Sequence, residues 1–248
     1  MVIEVITAFP GMFSVLNESI VGRAVKEGHV KLRTWDLRDF SNDKHRCIDD
    51  YPYGGGPGMV MRAEPFFRAV AHLRSIDSSQ SRVILLCPQG ERLTQSKAHQ
   101  LAEKERLILL CGHYEGVDER VRENLVDEEI SLGDFILTGG EIPAIALTDA
   151  VVRLLPGVLP PQSVKEESFT DGLLEYPQYT RPAEYSGLQV PEVLLSGNHG
   201  LIKDWRREKA LLNTLLRRPE MLCQAVLTDE EKDMLEKEAR NRGIQTEL

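Results

Sequence analysis

"RVILLCPQG" (Arg82–Gly90) and "RLILLCGHYEG" (Arg106–Gly116) share one plan: an arginine, four apolar residues, a cysteine, then a glycine-bearing turn. Short apolar runs bounded by turn residues read as strands buried on both faces. Between them "TQSKAHQLAEKE" (94–105) has helical period, with Thr94 as its cap. Strand, helix and strand in alternation suggest a mostly parallel sheet covered by helices. The same alternation runs outward. Ile3–Ala8, Val30–Trp35, Val83–Cys87, Leu107–Cys111 and Phe135–Leu137 read as strands; residues 11–28, 63–75, 94–105 and 142–155 read as helices, the first stopping at Gly28. The fold class is α/β, with a mostly parallel sheet over about the first 155 residues. In such sheets ligands sit beyond the carboxyl ends of strands, so the turns after Cys87 and Cys111, and the one at Leu137–Gly140, are the natural pocket walls.

Composition narrows the function classes. The chain has 248 residues, 42% hydrophobic and 28% charged, with a formal net charge of −9. A sticky, nonspecific nucleic-acid binder would be basic, so that class is disfavoured while specific recognition stays open. No apolar run approaches the roughly 20 residues of a membrane-crossing helix, and Glu4 interrupts the N-terminal apolar stretch, which reads as a strand and not a signal peptide. Cys47, Cys87, Cys111 and Cys223 are scattered without C-x-x-C spacing, so free thiols in a reducing cytoplasm are expected and a zinc site is not. Beyond "LLPGVLPPQSVKEES" the composition changes: prolines and a polar run give way to "DWRREKALLNTLLRRPEML" and to "TDEEKDMLEKEARNRG", which opens on a Thr228–Glu231 capping box. The expected division is 1–160, a linker at 161–175, and a helical domain at 176–248.

"DDYPYGGGPGMVM" (Asp49–Met61) is a rigid, small-residue loop. It lacks the Lys and Ser/Thr of a P-loop, and no strand leads into it as a dinucleotide fingerprint requires. A structural turn and a ligand-facing loop fit it equally.

Taken together with "PQG", "CGHYEGVDERV", "SLGDFILTGGEIPA", "DAVVRLLPGVL", "ESFTDGLLEYPQYTRP" and "WRREKALLNTLLRRPEML", this loop makes the chain closely resemble the bacterial tRNA (guanine-N1)-methyltransferase family of the SPOUT class. The resemblance covers nearly the whole chain, with the motifs in order. It implies a parallel sheet holding a deep trefoil knot, a small helical C-terminal tRNA-binding domain, a homodimer whose site is shared between chains, and methyl transfer from S-adenosyl-L-methionine to N1 of guanosine 37, on the 3′ side of the tRNA anticodon. The implied cofactor contacts are Leu85, Leu86, Cys87, Pro88, Gln89 and Gly90; Tyr114, Glu115 and Gly116; Ile130, Ser131, Leu132, Gly133, Phe135, Ile136 and Leu137; and Gly139, Gly140 and Pro143. Leu85, Cys87 and Glu91 stand where many members carry an aromatic, a Ser and a basic residue. On the substrate side the resemblance points to Asp50, Gly55, Gly56, Pro57, Gly58, Ser168 and His199. Mg²⁺ dependence is reported for the family, and no motif assigns a metal site.

The chemistry fits the implied catalytic residues. Guanine N1 is a poor nucleophile until its proton leaves, and Asp171 matches the general base. Negative charge then builds on O6, and Arg153 matches the residue that stabilises it. Glu115 would lie near the sulfonium, or hold a loop or a metal. The same residues have blander readings: Asp171-Gly172 as a turn, Arg153 as a structural ion pair, Glu115 as a helix-start charge, Tyr114 as packing, His113 as a loop residue. Lys203, Arg206, Arg207, Lys209, Arg217 and Arg218 are candidate phosphate contacts. A SPOUT enzyme acting on ribosomal RNA, and a non-catalytic RNA-binding protein retaining the fold, are the competing functions.

Overall fold

The computed structural model describes residues 1–160, 163, 167–169 and 171–244. It falls into two compact units, Met1–Pro160 and Pro161–Leu248.

In the first unit five strands form one parallel sheet: β1 (Val2–Thr7), β2 (Lys31–Asp36), β5 (Ser81–Arg92), β6 (Arg106–Cys111) and β7 (Glu128–Ser131), in the order β2-β1-β6-β5-β7. A short antiparallel pair, β3 (Asp49–Asp50) and β4 (Val60–Met61), brackets the glycine-rich loop. Helices α1 (Ser19–Lys26), α2 (Ala63–Ile76), α3 (Gln95–Ala102), α4 (Glu119–Leu125) and α5 (Glu141–Val152) connect the strands. Side chains alternate across the sheet with the two-residue period of a strand. Ile3, Val5, Ile84, Leu86, Leu107 and Leu109 pack one core with α1, α3 and α5; Ile6, Val83, Leu85, Ile108 and Leu110 pack the other with α2 and α4. Every residue of β6 is buried, which explains its unbroken apolar run. Its first residue, Arg106, is wholly buried because Glu4 on β1 pairs with it and the Leu73 carbonyl accepts from its guanidinium at 2.7 Å.

Two expectations are corrected. Phe135–Leu137 is not a strand; the fifth strand is Glu128–Ser131. Its first two residues are glutamates, which mask its pattern, and they are tolerated because Arg82 (2.5 Å) and Lys97 (3.3 Å) neutralise Glu128 and Arg122 (3.2 Å) neutralises Glu129. Phe135 and Ile136 are 55% and 79% exposed instead. The helix at 11–28 is broken into a 3₁₀ segment (Pro10–Asn17) and α1, because Ser19 takes a left-handed φ of 56° and Gly22 packs directly on the Asn17 backbone.

In the second unit, α6 (Glu192–Leu195), α7 (His199–Arg217) and α8 (Asp229–Arg242) accompany a two-stranded hairpin. Leu173, Leu211, Leu215, Leu222, Leu235 and Ala239 form its core. The Thr228–Glu231 capping box is present on α8. Among the described residues no helix is long and apolar enough to cross a membrane.

Candidate active site

The chain leaves β6, forms α4, and returns as β7 on the far side of β5. That crossing leaves a gap beyond the carboxyl ends of β5, β6 and β7, the place where open α/β sheets bind ligands. A cavity of about 400 Å³ fills it. Its walls are three turns. On β5 the chain pairs up to Leu86 with Ile130, leaves the ladder as Cys87–Gly90, and re-enters opposite the same Ile130. After β6 comes Gly112–Val117, and after β7 comes Leu132–Gly140. Gly140 donates its N–H to the Gly112 carbonyl at 2.7 Å, a backbone bond that ties the last two walls together.

Of the residues expected to hold a cofactor, all but Gly90 line this cavity. Gly90 packs instead against the Glu129–Ile130 peptide. Gly112, His113 and Thr138, which lie in the turns expected as pocket walls, also line it, as do Val117 and Arg122, which the sequence reading does not include. Arg122 comes from α4, whose start at the Asp118 cap had no strong periodic signal; it bonds the Gln89 side chain and pairs with Glu129, tying α4 to the β5 turn.

Cys87 donates its thiol to Glu129 at 3.0 Å. Burial, and then that bond, push the thiol from an ordinary 9.0 to about 11. The folded value lies above the unfolded one, so the stability this thiol lends is complete below pH 9 and is lost as pH rises toward 11. Its thiolate fraction at pH 8 is about 100-fold below that of an ordinary thiol. Iodoacetamide at pH 8 is therefore expected to label exposed Cys223 and spare Cys87, with Cys87 labelling rising toward pH 11. Peptide mapping by mass spectrometry checks this; equal labelling at pH 8 would contradict it.

Gly140 shows how closely the walls are built. A Cβ there would lie 2.9 Å from the Cys111 Cα and 3.0 Å from the Gly112 nitrogen, both backbone atoms. Gly140→Ala is expected to cost about 1–3 kcal/mol of stability by overpacking and to deform the cavity. A thermal melt reads the first effect and ligand calorimetry the second; an unchanged melt would show the wall can yield.

The glycine-rich loop joins this region. Gly54, Gly55, Gly56 and Gly58 all have positive φ, between 79° and 126°, a backbone only glycine adopts readily in succession. Past Pro57, a Cβ on Gly58 would overlap the Glu115 carboxylate, and Met59 and Met61 bond residues 115 and 116 through the backbone. Asp50, on β3, is exposed, with its carboxylate accepting from the Tyr51 N–H at 2.9 Å.

Arg153 caps the C-terminal end of α5, whose other end carries Pro143 at the cavity. The remaining site candidates belong to the second unit. Asp171 is exposed in a turn closed by a 2.8 Å bond from the Phe169 N–H to the Leu173 carbonyl. The Ser168 hydroxyl accepts from the Glu175 N–H at 3.0 Å, and His199 opens α7 behind an Asn198 cap. Of the basic candidates, Arg207 is held by Glu231 at 2.7 Å, Arg218 by Glu220, and Lys209 by Glu208 at 2.9 Å. The unit also has a cleft of about 390 Å³ lined by Tyr176, Tyr179, Arg181 and Arg206, where the Arg206 guanidinium lies 4.7 Å from the Tyr176 ring centre.

Comparison with known proteins gives a consistent family. The model described as "tRNA (Guanine-1)-methyltransferase TrmD" matches residues 1–224. The tRNA (guanine-N(1)-)-methyltransferase of Geobacillus kaustophilus strain HTA426 is 54% identical over 242 residues, covering 97% of this chain and 99% of that protein. Those of Pelotomaculum thermopropionicum (56% over 238 residues, 95% of each chain) and Bacillus subtilis strain 168 (53% over 234 residues, 94% and 96%) are similar throughout as well. A family match over residues 1–224, running through both units, leads to one conclusion: the chain belongs to the tRNA (guanine-1)-methyltransferase TrmD family.

Proposed function

We propose that this protein is a tRNA (guanine-N1)-methyltransferase that uses S-adenosyl-L-methionine to methylate N1 of guanosine 37, with Asp171 as general base. The observation that carries the reading is the cavity at the ends of β5, β6 and β7, lined by the segments that match the family. S-Adenosylmethionine supplies an electrophilic methyl group on a sulfonium when bound. The residues present fit such a group. The cavity is of small-molecule size, mixes apolar side chains with backbone turns, and has a wall at Gly140 that no side chain could enter.

The chain's own groups would then act as follows. Asp171 accepts the N1 proton of guanine as the nitrogen becomes nucleophilic. Arg153 offers its guanidinium to the charge growing on O6. Glu115, beside the glycine-rich loop, adds negative charge at the cavity mouth. The bare backbone of Gly55, Gly56 and Gly58 lets an extruded base approach, with Asp50 at the loop's start to bond a neighbouring base. Ser168 and His199 contact RNA in the same reading. Mg²⁺ is a candidate accessory ion; among the described residues no cluster of three or more His, Cys, Asp or Glu is arranged to hold a metal.

Several finer features belong to this reading. A deep trefoil knot around the cavity belongs to this reading through the family resemblance. Exposed Met12 and Val15 on the 3₁₀ segment, and Ile142 on the α5 it packs against, support a homodimer with a shared site. Residues 161–175 are the proposed linker, 176–248 the proposed tRNA-binding domain, and the cytoplasm the proposed location. Lys203 and Arg217, on α7, then contact phosphate. Lys203→Glu is expected to weaken tRNA binding and reduce the slope of log K against log salt by about one. A filter-binding titration across salt concentrations checks this, and an unchanged slope removes Lys203 from the interface.

Incubation with labelled S-adenosylmethionine and a tRNA transcript tests the whole reading. Methylation of ribosomal RNA alone would favour the related SPOUT activity, and binding of RNA without methyl transfer the non-catalytic reading.

A further inference from the structure

One carboxylate beneath the cavity has no part in the mechanism above. Glu141 sits on the first turn of α5 and is only 2% exposed. Burying a carboxylate is costly unless it is bonded, so its partners matter. The Thr7 hydroxyl, at the end of β1, donates to Glu141 Oε1 at 2.8 Å, and that hydroxyl accepts from the Phe9 N–H at 2.9 Å. Glu141 Oε2 faces His113 Nδ1 at 3.7 Å. That nitrogen is buried and has no hydrogen-bond partner, a costly state that a small contraction toward the carboxylate relieves. The imidazole is gripped by its neighbours: the Phe9 ring lies 4.8 Å away and the Tyr114 ring meets it edge-on at 5.0 Å. Gly139 completes the cluster, since a Cβ there would overlap both Glu141 Oε2 and His113 Nδ1.

This carboxylate thus joins three separate chain segments. Two of them, through His113, Tyr114 and Gly139, are walls of the cavity. Tyr114 is also held at a left-handed φ of 59°, a strained backbone that persists only where its surroundings enforce it.

We propose that Glu141 is a positioning residue for the cofactor cavity: it anchors His113 as an Nδ1–H donor and so fixes the Tyr114 wall against Gly139. Glu141 touches neither methyl donor nor guanine. The proposal rests on the methyltransferase reading for the identity of the ligand, and on the geometry alone for the anchoring.

The test uses the full chain with Glu141→Gln, Thr7→Val and Thr7→Ser. Calorimetry with S-adenosylmethionine is expected to show Kd raised about tenfold in Glu141→Gln, which removes the charge facing His113 Nδ1. KM for S-adenosylmethionine follows, while kcat and KM for tRNA stay within about twofold. Thr7→Val weakens binding in the same direction, and Thr7→Ser, which keeps the hydroxyl, restores it. Without ligand, the amides of residues 112–116 exchange faster in Glu141→Gln than in wild type.

A carboxylate that only stabilises the fold would lower the melting temperature and leave Kd of the folded protein unchanged; Kd within about twofold of wild type in Glu141→Gln overturns the proposal. If that variant does not fold, unchanged Kd in Thr7→Val does the same. A wild-type chain that gives no heat with S-adenosylmethionine sinks the methyltransferase reading, and the exchange comparison still decides the anchoring: equal rates at 112–116 reject it.

Discussion

Asp171→Asn is expected to fold, to bind S-adenosylmethionine as the wild type does, and to lose about 10²–10⁴-fold in kcat, the range for removing a positioned general base. The surroundings of Asp171 make the substitution a clean one. The residue is exposed and precedes Gly172, which takes a left-handed φ of 71° in a turn that buries Leu173. Asn-Gly serves such a turn as well as Asp-Gly. If the acid were there only for the turn, asparagine would replace it at no cost in rate. Single-turnover methyl transfer at saturating donor separates the two roles, and a rate within about twofold of wild type removes the general-base assignment.

Arg153→Ala is expected to lower kcat about 10²–10³-fold, the usual size of losing one group aimed at a developing oxyanion. Its location adds a condition. Arg153 follows the last turn of α5, ten residues after Pro143 at the cavity, or about 15 Å at 1.5 Å per residue. An arginine side chain does not span that distance along its own helix. In the proposed shared site, a catalytic Arg153 would serve the cavity of a second subunit, in keeping with the apolar residues exposed beside α5. If Asp171 of one subunit meets Arg153 of the other, mixing Asp171→Asn with Arg153→Ala subunits is expected to restore about one quarter of wild-type activity, because half of the dimers are mixed and each has one intact site. No recovery in any mixture contradicts the meeting of these two residues across a dimer.

The parallel sheet was legible because its inner strands are buried on both faces, and burial leaves a continuous apolar run bounded by turns. "RVILLC" and "RLILLC" are such runs. β7 was hidden because Glu128 and Glu129 open it, and what makes glutamates acceptable there, Arg82, Lys97 and Arg122, comes from distant parts of the chain. Phe135–Leu137 misled for the converse reason, since its apolar residues face the cavity and solvent and not a core. The turns after Cys87 and Cys111 could be found from their place after strands, whereas the one at Leu137–Gly140 follows a run that is not a strand. His113 and Glu141 could not be paired from sequence, because Thr7, Gly139 and the β6 turn meet only once the sheet is assembled. In the second unit the pattern gave the basic stripe on α7 but not its internal pairing, which holds Arg207 and Lys209 to acids of the same unit.

The most direct test of the account is to incubate wild-type protein with methyl-labelled S-adenosylmethionine and a tRNA transcript carrying guanosine at position 37, then to digest the RNA and locate the label by mass spectrometry. The account predicts 1-methylguanosine at that position alone. Label on another atom or nucleotide, or none after prolonged incubation with folded protein, would contradict it.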